Sequence, residues 1–370
     1  RWGAEEARRL SGEVQRLDTE ATAAGRFALI RRFPTGVVLG IPPFNFPLNL
    51  VAHKVAPALA VGAPIVIKPA PSTPLSALVL GEILAQTDLP AGAWSILPVG
   101  NDMAPAMVAD KRMPIVSFTG SDKVGFDIQR SVPDKHITLE LGGNAAALVL
   151  EDWNSEADLN WAATRTVLFG TYQAGQSCIS VQRILIHDSI YDQLVARIVA
   201  AAAATVNGDP KDDKTVVGPM INEAAAVRVE QWVNEAVAAG ATVLAGGTRD
   251  GSYFAPTVLA NVPRDAKVSC NEVFGPVMLV DRIGSTQEGF DVINDSPFGL
   301  QAGVFTHDIQ TAFRAHRELE VGGVIIGDVP TFRSDQMPYG GVKASGVGKE
   351  GLRWAMQDMT HERVMVLSGI

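Results

Sequence analysis

Residues 36–69 read GVVLGIPPFNFPLNLVAHKVAPALAVGAPIVIKP. Two short runs, GVVLGI (36–41) and PIVIKP (64–69), flank FPLNLVAHKVAPALAVG (46–62), which has helical spacing and stops at a glycine. Uninterrupted apolar runs of strand length suit strands buried on both faces, and such strands alternate with helices in parallel sheets. The alternation continues through the helix TPLSALVLGEILAQT (73–87) and the runs AWSILPV (93–99), PIVSF (114–118) and HITLEL (136–141). Residues 31–140 therefore read as most of a doubly wound sheet, whose ligands bind outside the carboxyl ends of its strands.

A second alternating region follows from 141. AAALVL (145–150), QRILIHD (182–188), PTVLANV (256–262) and VGGVIIGD (321–328) read as strands, and 157–169, 189–206 and 222–239 as helices. The fold class expected is α/β, two doubly wound domains, with a small β extension. That extension is the strand pair in VQRLDTEATAAGRFALIRRF (14–33) and a terminal strand in MTHERVMVLSGI (359–370). Strands at the extremities of a chain often join subunits, so a homodimer or homotetramer is expected. The chain opens inside an apparent helix without an initiator Met, which suggests a preceding segment.

Composition narrows the function classes. A net charge of −9 argues against nucleic acid as a partner. The longest apolar stretch, LVARIVAAAAATV (194–206), carries Arg197 and is too short for a bilayer, so no membrane partner is expected. Cys178 and Cys270 are the only two cysteines, too few for a disulfide framework, which points to a reducing, cytoplasmic setting. The six histidines show no metal-ligand spacing.

Several short stretches could carry chemistry, and each has a plain structural alternative. Gly120 and Ser121 in SFTGSDKVG stand between a strand and a helix start, where amides and the helix dipole hold phosphate; the alternative is a simple serine N-cap. Lys68 ends a strand and could reach ribose hydroxyls or phosphate, or be solvated. Asn45 in PPFNFP could donate to an oxyanion, or only cap the next helix. Glu140 ends the strand TLELGGN and could face a cleft, or be a solvated terminus. Cys178 in FGTYQAGQSCIS lies among small and amide side chains, whereas most lone cysteines are inert. No G-x-G-x-x-G follows the first strand.

Together and in this order, FNFP, IKPA, FTGS, LELGGN, GQSC, NEVFGP and MPYGGVKASGVGKEG resemble the NAD(P)-dependent aldehyde dehydrogenase superfamily from about residue 5 to the C-terminus. The resemblance implies a cofactor-binding domain over 1–140, with oligomerisation strands at about 14–32 inserted and an earlier part missing. It implies a catalytic domain over 141–350, then a return segment and terminal oligomerisation strand over 351–370. It makes Cys178 the nucleophile, Asn45 with the Cys178 amide the oxyanion site, and Glu140 the base that hydrolyses a thioester. Glu350 matches a second acid that relays protons. Ile41, Pro42, Lys68, Gly120, Ser121, Glu272 and Phe274 match cofactor contacts. Pro71 replaces the acid that many NAD-preferring members carry, and Ser72 and Thr73 follow, so both NAD and NADP are expected.

For the substrate, Phe46, Asn49, Leu50 and His53 share one helical face just after the oxyanion asparagine, and Asn49 and His53 suggest a polar aldehyde. His53 as a hydrogen-bonded core residue is the alternative. Arg333, in a loop bordering the family's substrate tunnel together with Tyr339, could clamp an anionic tail, or pair with Asp335. A small, polar, anionic aldehyde is expected, of semialdehyde, lactaldehyde or glyceraldehyde-phosphate type. A CoA-acylating or reductive member of the fold, a nucleotide-independent thiol hydrolase using Cys178, and a non-catalytic scaffold are the competing readings. Cys270 is assigned no chemistry.

Overall fold

A computed structural model describes residues 2–368; Arg1 and the last two residues of the expected terminal strand, Gly369 and Ile370, lie outside the described residues. The chain forms two compact units. Unit 1 comprises Arg1–Glu140, Ser334–Tyr339 and Val347–Ile370, and unit 2 comprises Leu141–Arg333 and Gly340–Gly346. The return to unit 1 thus includes 334–339 and begins again at 347, earlier than the 351 expected from the sequence.

Unit 1 opens with helix α1 (Trp2–Arg9). Strands β1 (Glu13–Arg16) and β2 (Arg26–Pro34) follow as an antiparallel pair, and the terminal strand Thr360–Ser368 lies antiparallel on the other side of β2. The doubly wound sheet contains β3 (Val38–Ile41), β4 (Ile65–Ile67), β5 (Trp94–Ile96), β6 (Ile115–Thr119) and β7 (His136–Glu140), parallel and in the order β7-β6-β3-β4-β5. Its helices are α2 (Asn49–Ala60), α3 (Leu75–Ala85), α4 (Ala104–Ala109) and α5 (Asp122–Ser131). The apolar run that begins the sequence reading is here the core: Val38, Ile65 and Ile67 meet Val51, Val55 and Ala58 of α2. Burying such side chains contributes roughly 1.5–3 kcal/mol each.

Unit 2 holds a seven-stranded sheet in the order Thr242–Ala245, Thr257–Ala260, Val277–Ile283, β9 (Arg183–His187), β8 (Ala146–Val149), Gln301–Phe305, Gly323–Ile326. Only the first pair is antiparallel. Helices α6 (Glu156–Thr171) and α7 (Tyr191–Ala204) pack their Leu159, Ala163, Leu194 and Ile198 into one core cluster. Helix α8 (Glu223–Ala238) packs Ala226, Val229 and Val233 into another. No described helix is long and apolar enough to cross a membrane.

Candidate active site

In unit 1 the candidate residues gather at one edge of the sheet. Asn45 follows β3, Lys68 follows β4, Gly120 and Ser121 follow β6, and Glu140 is the last residue of β7. Because these strands are parallel, all of these residues leave the sheet at its carboxyl edge, where open α/β sheets bind ligands.

The structural alternatives separate here. Asn45 is buried and does not cap α2, whose N-cap is Leu48 with no side-chain cap bond. The helix proper starts at Asn49, so Phe46 lies in the turn before it, with its carbonyl accepting from the Leu50 amide at 3.0 Å. Asn49 is exposed and Leu50 is core. Lys68 is not a solvated terminus: it is 2% exposed and its Nζ donates to Asn101 Oδ1 at 2.8 Å. Burial pushes its pKa down, and Asp102 opposes that shift. Ser121 does cap α5, accepting from the Val124 amide at 3.5 Å. Ile41 ends β3 opposite Phe118 of β6, and Pro42 is buried beside it.

Glu140 is 2% exposed, and its Oε2 accepts from Thr119 Oγ1 at 3.3 Å. Thr119 in turn accepts from Lys54 Nζ at 2.7 Å. The same ammonium donates to Ser117 Oγ at 3.1 Å and to Glu350 Oε1 at 2.9 Å. His53 completes the row, with Nδ1 3.4 Å from Glu350 Oε2 and Nε2 3.5 Å from Asp335. Burial opposes ionisation of Glu350, but the Lys54 charge and then His53 outweigh it and hold its carboxyl well below the usual carboxylate range. Tyr339 is buried and pairs its backbone with Glu350, at 3.0 Å and 2.6 Å. Lys54 and Thr119 escaped the sequence reading. The signal for Lys54 was present: it falls within the buried periodicity Leu50, Val51, Lys54, Val55, Ala58.

In unit 2, α6 runs into a tight left-handed turn at Gln173 (φ 54°), Ala174 (φ 53°) and Gly175 (φ 69°), which delivers Cys178. A Cβ on Gly175 would lie 2.0 Å from the Gly275 carbonyl, so two backbones touch there. Gln176 pins the turn, accepting from the Ile221 amide at 3.0 Å and donating to the Gln173 carbonyl at 3.1 Å. Cys178 is half-buried, with Gly143 packed so closely that a Cβ there would stand 2.8 Å from the Cys178 carbonyl. The neighbouring Gly142 faces the carboxylate of Glu272, which accepts from the Gly143 amide at 3.0 Å. Phe274 has φ 47°, a left-handed backbone that turns the chain toward the strand at 277. Arg333 ends a loop tied to the cysteine segment, since Thr331 Oγ1 donates to the Ile179 carbonyl at 2.7 Å. Cys270 sits at the end of a short helix with Sγ 3.6 Å from the Asp265 carbonyl, a structural setting.

Comparison with known proteins places this arrangement in a class. The aldehyde dehydrogenase family profile matches residues 1–365. A 3-sulfolactaldehyde dehydrogenase of Priestia aryabhattai is 44% identical over 99% of this chain and 76% of its own length. The crystal structure of aldehyde dehydrogenase 21 from Physcomitrella patens, in complex with the reaction product succinate, superposes with a TM-score of 0.97 at 45% identity, covering 100% of this chain and 76% of that one. Glyceraldehyde-3-phosphate dehydrogenase GapN from Methanocaldococcus jannaschii, complexed with NADP, gives 0.92 at 38% identity, covering 99% and 79%.

The chain belongs to the aldehyde dehydrogenase family. It is an NAD(P)-dependent oxidoreductase acting on aldehydes, with the α/β fold expected from its sequence.

Proposed function

We propose that the chain oxidises a small, polar aldehyde with an anionic tail to its carboxylic acid. The observation that carries this reading is the placement of Asn45, Lys68, Ser121 and Glu140 at or just past the carboxyl ends of parallel strands in one sheet. The Cys178 thiolate attacks the aldehyde carbon, and the oxygen takes up the charge. The Asn45 amide and the Cys178 backbone N–H hold that oxyanion. The nicotinamide ring, when bound, supplies the hydride acceptor that turns the Cys178 adduct into a thioester. Glu140 then takes a proton from water, whose oxygen adds to the thioester carbonyl. The carbon–sulfur bond breaks, the acid leaves and the thiolate returns. Glu350 serves as the second acid of the proton relay, and the hydrogen bonds of the Lys54 ammonium and the Thr119 hydroxyl hold it and Glu140 in one network.

The donor set of unit 1 fits a dinucleotide. The first-turn amides of the ten-residue helix α5 with Ser121 suit its phosphates. Gly120 leaves no room for a side chain, since a Cβ would stand 2.5 Å from the Phe118 ring. Lys68 and Glu272 are the ligands of the cofactor riboses, Phe274 packs near the nicotinamide, and Ile41 and Pro42 are further cofactor contacts. Pro71, Ser72 and Thr73 bring no carboxylate against a 2′-phosphate, so NADP and NAD are both accepted. Thr73 is engaged with the Phe44 carbonyl at 3.5 Å, which leaves exposed Ser72 as the hydroxyl for the phosphate.

Phe46, Asn49, His53, Arg333 and Tyr339 recognise the aldehyde. Support for its anionic tail is chemical: the sulfonate, carboxylate and phosphate named for the three relatives are all anions. Unit 1 is the cofactor-binding domain and unit 2 the catalytic one. The two free cysteines suit a reducing, cytoplasmic setting. The terminal strand exposes Val364, Met365 and Val366 along an edge, which suits a homodimer or homotetramer; a monomer by light scattering would overturn that assignment. A panel of anionic and neutral short aldehydes, assayed with NAD and with NADP, tests the whole reading. No reduced nucleotide with any of them, or a rate that requires coenzyme A, contradicts it.

A further inference from the structure

Gln182 stands just before β9, in the stretch that follows Cys178, and is 5% exposed. Its main chain belongs to the sheet of unit 2: the amide donates to the Ala145 carbonyl at 3.1 Å, and the carbonyl accepts from the Leu279 amide at 2.8 Å. Its side chain does something else. Nε2 donates to the Val268 carbonyl at 2.9 Å and to the Asn271 carbonyl at 2.7 Å, while Oε1 accepts from the Val273 amide at 3.0 Å. Both protons of the amide and its oxygen are spent on one segment, 268–273.

Val268 and Val273 anchor that segment in an apolar core cluster, and Asn144 Nδ2 donates to the Ser269 carbonyl at 3.2 Å. The segment runs from the short helix Lys267–Cys270 to the strand Val277–Ile283, and the backbone between them pairs with no strand. Two of the three groups that Gln182 grips, Asn271 O and Val273 N, lie immediately on either side of Glu272. Arg228 grips the same loop from the far side, donating to the Val273 carbonyl at 2.7 Å. The Glu272 carboxylate meets Gly142 and Gly143, and Gly143 packs on the Cys178 carbonyl. The stretch 178–182 leading into β9 thus carries the cysteine at one end and, through the Gln182 amide at the other, grips the backbone on either side of Glu272.

We propose that Gln182 is a positioning residue for the reaction: it fixes the cofactor-side loop of Glu272 and Phe274 relative to the Cys178 sulfur. This rests on the assignment above of Cys178 as nucleophile and of Glu272 and Phe274 as cofactor contacts. Gln182 touches no reacting atom. Its loss would leave two carbonyls and an N–H buried without partners, and the loop would relax to satisfy them.

The test uses the full chain with Gln182→Met, which keeps length and volume but cannot hydrogen bond, and Gln182→Glu, which keeps only the acceptor for Val273. Binding of NAD and NADP is followed by calorimetry, and Cys178 reactivity by its alkylation rate with iodoacetamide in the absence of nucleotide. Both variants are expected to bind the nucleotides about tenfold more weakly, with the nucleotide KM raised to match. Alkylation of Cys178 and the aldehyde KM are expected to stay within about twofold of the parent. Nucleotide binding equal to the parent's in either variant overturns the proposal. So does a parallel loss of alkylation rate and aldehyde KM, which marks general loosening. A parent chain that binds neither nucleotide overturns the underlying assignment instead, and the parent's own binding isotherm tells the two failures apart.

Discussion

The ammonium of Lys54 stands 2.9 Å from the carboxylate of Glu350, and both side chains are sealed from solvent. Two buried charges cost several kcal/mol each to desolvate, and they persist because each satisfies the other. Lys54 also feeds Ser117 and Thr119, so its three donors are fully used. Replacing Lys54 by Met would strand the Glu350 charge. The expected cost is about 3–5 kcal/mol, read as a lower urea midpoint with an unchanged slope. A midpoint within error of the parent would show that the pair contributes nothing to the fold.

The same pair makes a pH prediction. Glu350 has a folded-state pKa held well below its ordinary 4.5. A depressed carboxyl contributes stability that is fully present above the unfolded value and is lost as pH falls through the folded one. Stability should therefore decline from about 4.5 downward through the acid range. In Glu350→Gln that part of the acid sensitivity should be missing. Identical acid profiles for parent and variant would refute it.

Gly142 leaves its Cβ position 2.4 Å from Glu272 Oε2. In Gly142→Ala the carboxylate must swing away and give up the Gly143 amide. The expected result is a nucleotide KM raised by about tenfold, with thermal stability lowered by about 1–3 kcal/mol. The Gly143→Ala change meets the Cys178 carbonyl, which cannot swing, so it should harm kcat more than nucleotide binding. Reversal of that pattern would contradict the roles assigned to Glu272 and Cys178.

Arg333 is expected to select the anionic tail. An arginine–carboxylate or arginine–sulfonate contact contributes about 1.5–3 kcal/mol, or roughly ten- to a hundredfold. Arg333→Ala should lower kcat/KM for an anionic short aldehyde by that factor and leave a neutral aldehyde of equal length nearly unchanged. Equal losses on both would remove Arg333 from recognition.

What the sequence could convey follows from how each feature arises. β3 and β4 were legible because a strand buried on both faces must be apolar throughout, and the pattern is local. The strand Gln301–Phe305 was not, because its buried Gln301 looks polar until its amide is seen donating to the Pro330 and Phe332 carbonyls, at 2.5 Å and 3.1 Å. Ser121 could be read as a cap or as a phosphate site, and capping geometry serves both. Lys54 sat in plain view on an apolar helix face, but its partner Glu350 lies 296 residues away, a separation no local pattern spans. Gln182 was invisible for the same reason, since it acts on a segment that is adjacent only after the sheet has formed.

The central claim is that Cys178 carries the acyl group and that Glu140 lets water remove it. Glu140→Gln keeps the shape and takes away the base. Mixed once with aldehyde and NADP or NAD, this variant should release a single burst of reduced nucleotide and then stop. Mass spectrometry should find the acyl group on the peptide that contains Cys178. Steady turnover at the parent's rate, or a burst with no acyl mass on that peptide, would contradict the account.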